Sequence, residues 1–265
     1  MIDTKFLILK RIPLCVENLL ILWITLFSLL GSVGAIIAAA AFLLLREKIQ
    51  KVLIPCLVSY ATGTLLTAAL LGLVPHALEH SSAHSVLSTV LVGIILFFLL
   101  EKLVIWRHCH DVECEVHGAA GPMILIGDAF HNATDGLVIA ASFLSSMPIG
   151  VAVAISVIAH EIPQEVGDFA ILLHGGYSKR KALLLNVLSS LSTVPAAMVA
   201  YYALEIMRAA IPYIMAFSAA SFLYIALTDL YPELHQKVGF ASATTQFLMI
   251  LAGIGTMILV LQFHP

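Results

Sequence analysis

The chain has 265 residues, 61% of them hydrophobic and only 11% charged, with a formal net charge of −3 and a mean hydropathy of +1.04. Soluble domains carry roughly 25% charged residues, so a nucleic-acid-binding protein, a secreted disulfide scaffold and a disordered chain are excluded and an integral membrane protein is expected. The four cysteines, Cys15, Cys56, Cys109 and Cys114, are too few and too scattered for a disulfide framework.

Apolar runs set against charges, glycines and prolines predict eight spans, at about 18–45, 52–75, 85–106, 121–145, 148–174, 182–206, 211–231 and 242–263. Lipid offers the backbone no hydrogen-bond partners, so each span is expected as a helix, and the run from Ala35 to Leu45 lacks the alternation of a barrel strand. The first span, uncharged from 19 to 45, exceeds a signal-peptide core and is read as retained. Arg46, Lys48, Lys51, Arg107, Lys179, Arg180, Lys181 and Lys237 follow spans one, three, five and seven. That asymmetry puts these connections in the cytoplasm and both termini outside, against the pull of Lys5, Lys10 and Arg11.

Span two closes on Pro75-His76-Ala77-Leu78-Glu79-His80, so His76, Glu79 and His80 are expected at the outer face, placed to collect incoming metal or to cap the interface. The connection after span three, Arg107 to His117, reads RHCHDVECEVH and offers His108, Cys109, His110, Cys114 and His117 as ligands. Its spacing is not that of a structural zinc module, so a loose cytoplasmic metal acceptor over 107–118 is expected.

From His108 to Ser178 there is no Lys or Arg, yet spans four and five carry Asp128, Asp135, Glu161, Glu165 and Asp168. A centrally placed intramembrane Asp costs about 2.5–3.5 kcal/mol. Protonation or a water-filled cavity offsets part of that cost, and a bound cation offsets it most directly. At 3.6 residues per turn, Asp128, His131, Asn132 and Asp135 share one face of span four, and His160, Glu161, Gln164, Glu165 and Asp168 form a stripe on span five. A turn near Ser145 to Pro148 would bring the stripes together. Imidazole nitrogens, carboxylates and amide oxygens form a set suited to Zn2+, Fe2+ or Mn2+ rather than Cu+. Pro163 interrupts the ladder of span five and frees a carbonyl near position 159, as tolerated where a helix lines a site. The competing reading is interhelical hydrogen bonding by His, Asn and Gln.

His131-Asn132-Ala133-Thr134-Asp135-Gly136 and His160-Glu161-Ile162-Pro163-Gln164-Glu165-Val166-Gly167-Asp168 resemble the ZIP (Zrt-, Irt-like protein) metal transporters, in the subgroup with HNxxDG on the fourth helix and HExPxExGD on the fifth. The resemblance implies an all-α polytopic fold, a single domain over 1–265 with eight transmembrane helices and a metal site between helices four and five. It further implies a binuclear centre. One position would use His131, Asp135, His160 and Gln164; the adjoining one would draw on Asn132, Asp135, Glu161 and Asp229 of helix seven. Many eukaryotic members of this subgroup have His where Gln164 stands, and an amide oxygen is the weaker ligand.

The expected function is secondary import of divalent metal, zinc foremost and Cd2+, Fe2+ and Mn2+ in the same class, with zinc as transported substrate and no organic cofactor. Divalent ions and the lipid bilayer are the expected partners, a homodimer is an expected assembly, and no nucleic acid is involved. The expected location is a plasma membrane, read as a prokaryotic inner membrane. The alternative is an intramembrane zinc-dependent hydrolase, although His160-Glu161 lacks the second His of an HExxH motif because Gln164 stands there. A pump is not expected, because the sequence shows no phosphate-binding G-x-x-x-x-G-K-[ST] loop.

Overall fold

A computed structural model describes residues 14–106, 120–235 and 239–262. The expected acceptor residues His108, Cys109, His110, Cys114 and His117 lie outside the described residues. Within them every regular element is helical, and continuity groups the helices into eight rods. Rod α1 runs from Leu14–Leu29 through a wide π-turn at Leu30–Gly34 into Ala35–Leu43. Rod α2 comprises Glu47–Thr67, a π-turn at Ala68–Leu73 and Val74–His80; α3 is Ala83–Trp106, α4 Ala120–Ser145 and α5 Met147–His174. Rod α6 joins Lys179–Ser190 to Thr193–Ile206, α7 runs from Arg208–Ala210 through Ile211–Tyr224 and a π-turn at Ile225–Leu230 to Tyr231–His235, and α8 is Phe240–Gln262.

All of these rods except α4 contain a stretch long and apolar enough to cross a membrane. The chain is therefore an all-α polytopic membrane protein. Rod α4, at 26 residues, has the length, but Asp128, His131, Asn132 and Asp135 dilute its hydropathy. Every described Lys and Arg is exposed, and large apolar side chains such as Leu22, Ile37, Val92, Val199 and Phe247 cover the outside, each at least 60% exposed. That distribution suits a lipid-facing surface and leaves the buried core to smaller residues.

Rod α5 sits at the centre, packed against α1, α2, α4 and α8, while α4 is also held by α6 and α7. Close crossings depend on glycine. A Cβ at Gly136 would run into the carbonyl oxygen of Thr193 on α6, and one at Gly253 of α8 into the carbonyl oxygen of Tyr60 on α2. Small residues at such crossings let backbones approach, and in lipid it is this packing that holds helices together. Between α4 and α5 only Ser146 is extended (φ −161°, ψ 136°), so the two rods form a tight antiparallel pair and their polar stripes face one another.

Candidate metal centre

His131 and Asp135, four residues apart, project from one face of α4, and the consecutive residues His160 and Glu161 project toward them from α5. Ligand atoms of all four lie within 4.8 Å of one another. His131 Nε2 is 3.1 Å from His160 Nε2, 3.3 Å from Glu161 Oε1 and 3.8 Å from Asp135 Oδ2. His160 Nε2 is 3.3 Å from Asp135 Oδ2 and 3.7 Å from Glu161 Oε1. In a tetrahedral zinc site with bonds of about 2.0–2.1 Å, neighbouring ligand atoms are about 3.3 Å apart. The five separations bracket that value, so two imidazoles and two carboxylates already approximate the edges of a coordination tetrahedron.

His160 is preset for this role. Its Nδ1 lies 2.8 Å from the carbonyl oxygen of Ser156 one turn earlier, and an N–H donated there leaves the Nε2 lone pair directed at the group. His160, Glu161 and Asp135 are all at most 1% exposed. Asp135 Oδ2 and both Glu161 oxygens lack a hydrogen-bond partner, a costly condition for buried carboxylates unless a cation neutralises them. No Lys or Arg among the described residues is buried.

The other expected ligands are placed differently. Asn132 is buried, but Nδ2 donates to Asp128 Oδ1 at 2.9 Å and to the Asp128 carbonyl at 3.2 Å. Its Oδ1 accepts from Ser190 Oγ at 3.2 Å and Thr193 Oγ1 at 2.9 Å, which turns that oxygen toward α6. Gln164 Nε2 donates to Asp128 Oδ1 at 3.4 Å. Asp128, Glu161 and Glu165 form a second group of converging carboxylates. His76, Glu79 and His80 also converge, with His76 Nδ1 3.2 Å from Glu79 Oε2, at the opposite end of the bundle from the C-terminus of α5.

A cavity of about 530 Å3 begins at His131 and His160 and continues past Gln164 and Asp168 of α5 to Asp229 and Glu233 of α7. Asp229 lies in the π-turn of α7 and accepts from Thr228 Oγ1 at 2.8 Å; it stands on the cavity wall rather than in the four-residue group. In the other direction Val138, Ile139, Phe143, Ala152, Val153 and Phe222 pack as buried apolar core. The group is thus reached from one end of the bundle, where α5 and α7 finish and α4 starts, and covered toward the other.

Residues outside the expected set also shape the site. Ser156 contributes its carbonyl, and Ser190 and Thr193 of α6 support the α4 stripe through Asn132. The α6 residues were legible in principle: Asn186, Ser189, Ser190 and Thr193 recur at helical spacing and make a polar face. Nothing in the sequence says that this face meets α4.

A sequence model of the family described as ZIP zinc transporter matches residues 105–261, more than half of the chain. The chain is 36% identical over 140 residues to zinc transporter zipt-7.2 of Caenorhabditis elegans, covering 51% of this chain and 30% of that protein. It is 45% identical over 112 residues to human zinc transporter ZIP4, covering 42% of this chain and 17% of the relative. With zinc transporter ZIP13 of Pongo abelii it shares 31% identity over 218 residues, 77% of this chain and 65% of the relative. It thus spans a third or less of the first two relatives. The match to the family model covers both α4 and α5, and on that basis the chain belongs to the ZIP zinc transporter family.

Proposed function

We propose that the protein is a secondary divalent-metal transporter that imports Zn2+ across the plasma membrane, and that all eight rods span the bilayer with both termini outside. The observation that carries this reading is the group His131, Asp135, His160 and Glu161, whose separations suit one tetrahedral ion. The substrate follows from the donor set and from the zinc transported by the named relatives; Fe2+ and Mn2+ fit less well as oxygen preference grows, and Cd2+ because it is larger and softer than the short separations and carboxylate donors suit.

On the proposed topology the cavity faces the cytoplasm, so the described state is the one that releases metal inward. The ion leaves the two imidazoles for Gln164, Asp168 and Asp229 on the cavity wall, a series of weaker oxygen ligands suited to release. Asp229 serves the adjoining position of a binuclear centre, and Asn132, committed to Asp128, Ser190 and Thr193, braces it. His76, Glu79 and His80 gather metal at the outer end. A hydrolase reading finds less support, because four protein ligands complete a tetrahedron and leave no position for a reactive water.

The test is metal flux into proteoliposomes holding purified protein, with Zn2+ compared against Cd2+, Mn2+ and Fe2+ and with His131→Ala and Glu161→Ala as controls. Saturable zinc flux lost in both variants is expected. Wild-type rates in both would refute the site, and tight zinc retention with no flux would refute transport.

A further inference from the structure

Most of the described Lys and Arg side chains lie on two connections of the chain. Arg46, Lys48 and Lys51 follow α1, and Lys179, Arg180 and Lys181 follow α5; all six are exposed. Against them stands one acidic residue, Glu47, 3.8 Å from Lys51, and no Asp or Glu occurs from 169 to 185. The two connections are neighbours. Leu43, the last residue of α1, and Leu183, near the start of α6, line one small void together with Phe169 of α5. Arg46 and Lys181 are therefore each within three residues of a shared contact.

Both turns are held in place. Gln50 Nε2 donates to the carbonyls of Phe42, Leu43 and Leu45 at 3.3, 3.2 and 2.9 Å. After α5, Gly176 adopts φ +84°, its N–H donates to the Leu173 carbonyl and the Tyr177 N–H to the Leu172 carbonyl, each at 3.1 Å, which closes the helix. Lys181 Nζ then sits 4.8 Å from the centre of the Tyr177 ring. Leu44, Val52 and Leu184, beside these cations, are 88%, 62% and 58% exposed. Cations bordered by exposed apolar side chains at a helix end match the edge of a bilayer rather than a soluble partner. On the α7 side of the same end, the cavity wall carries Asp168, Asp229 and Glu233, so an anion is repelled there and drawn toward α1 and α6. Orientation in the membrane requires basic residues on the connections; it does not require two sets on adjoining, fixed turns with one carboxylate among six cations.

We propose that the two turns carrying Arg46, Lys48 and Lys51 and Lys179, Arg180 and Lys181 form one docking surface for the headgroups of anionic phospholipids. Clusters of about four to eight Lys and Arg at the end of a membrane helix attract an anionic leaflet, and cations presented by two rigid turns lose little freedom on binding. Headgroups held across both turns tie α1 to α5, which carries His160 and Glu161, and to α6, which braces Asn132. The inference rests on the proposed topology only for the leaflet, the cytoplasmic one; the binding itself does not depend on it.

Purified full-length protein is reconstituted in phosphatidylcholine bilayers, and its association with spin-labelled phosphatidylglycerol is compared with that of spin-labelled phosphatidylcholine. Wild type should prefer phosphatidylglycerol about tenfold or more, and the preference should fall severalfold when sodium chloride is raised to about 1 M. Lys179→Gln, Arg180→Gln and Lys181→Gln together should lower it at least about fivefold, the effect of one surface cation; Arg46→Gln with Lys48→Gln should do the same, and Arg208→Gln, at the other end of the bundle, should leave it unchanged. The variants alter exposed side chains, so melting temperature and zinc binding should match wild type. Equal association of the two lipids with wild type would overturn the proposal, as would folded variants that keep the full preference. Displacement of phosphatidylglycerol by millimolar inorganic phosphate would make this a site for a free anion and overturn it too. Where a variant does not fold, a preference that molar salt leaves unmoved is the overturning result. Absent zinc flux in wild type would refute transport and leave the lipid preference standing.

Discussion

Replacing His160 by Ala removes the ligand whose orientation is most completely determined. Its ring is 1% exposed, Nδ1 is held by the Ser156 carbonyl at 2.8 Å, and Nε2 stands 3.1 Å from His131 Nε2 and 3.3 Å from Asp135 Oδ2. Loss of an outer hydrogen bond to a ligand alone costs about 10–100-fold in metal affinity. Removing the ligand together with that bond should therefore cost at least about 100-fold, or about 2.7 kcal/mol. The assay is zinc competition against a chelator of known affinity in detergent micelles, paired with thermal unfolding of the metal-free protein. His131→Ala, at the cavity edge with a 19% exposed side chain, should show a similar affinity loss with a smaller effect on unfolding, because its removal opens less buried space. A folded His160→Ala protein whose zinc affinity stays within threefold of wild type would refute the tetrahedral assignment.

Three further outcomes follow from packing and from the cavity. Gly136→Ala should lower unfolding stability by about 1–3 kcal/mol, because a Cβ there meets the Thr193 carbonyl; a thermal shift in detergent checks it, and an unchanged melting point would contradict the α4–α6 contact. Ser190→Ala combined with Thr193→Val strips both donors from Asn132 Oδ1 and should cost about 1–3 kcal/mol for a buried acceptor left unpaired, with zinc stoichiometry unchanged; equal stability of variant and wild type would remove the bracing role. Asp229→Asn should slow zinc release in proteoliposomes while leaving equilibrium zinc affinity within about threefold of wild type, and a wild-type rate would exclude Asp229 from the exit route.

Both polar stripes were legible because the signal is local. Each carboxylate in an apolar run carries a desolvation cost visible without a fold, and helical spacing sorts His131 with Asp135 and His160 with Gln164. The residues that turned out differently from expectation did so through contacts with distant segments. Asn132 has the right chemistry for a ligand, but hydroxyls 58 and 61 residues away hold its oxygen toward α6. Glu161, expected at the adjoining position, instead stands 3.3 Å from His131, since the rotation of α5 about its axis brings consecutive residues to both sides of the α4 stripe. The π-turn that carries Asp229 has no signature in composition or periodicity.

By itself the sequence determined that the chain lives in a membrane, where its helices lie, and which turns of α4 and α5 carry the buried polar stripes. These properties depend on hydrophobic runs, backbone satisfaction in lipid and a 3.6-residue period, all of which act over a few neighbouring residues. Only the tertiary structure decided which donors converge, that they are reached from the end where α5 finishes, and that Glu161 stands within 4 Å of both His131 and His160. Those outcomes depend on how deeply the rods interpenetrate at Gly136 and Gly253 and on how α4 and α5 are rotated, which is a property of packed helices and of no single segment.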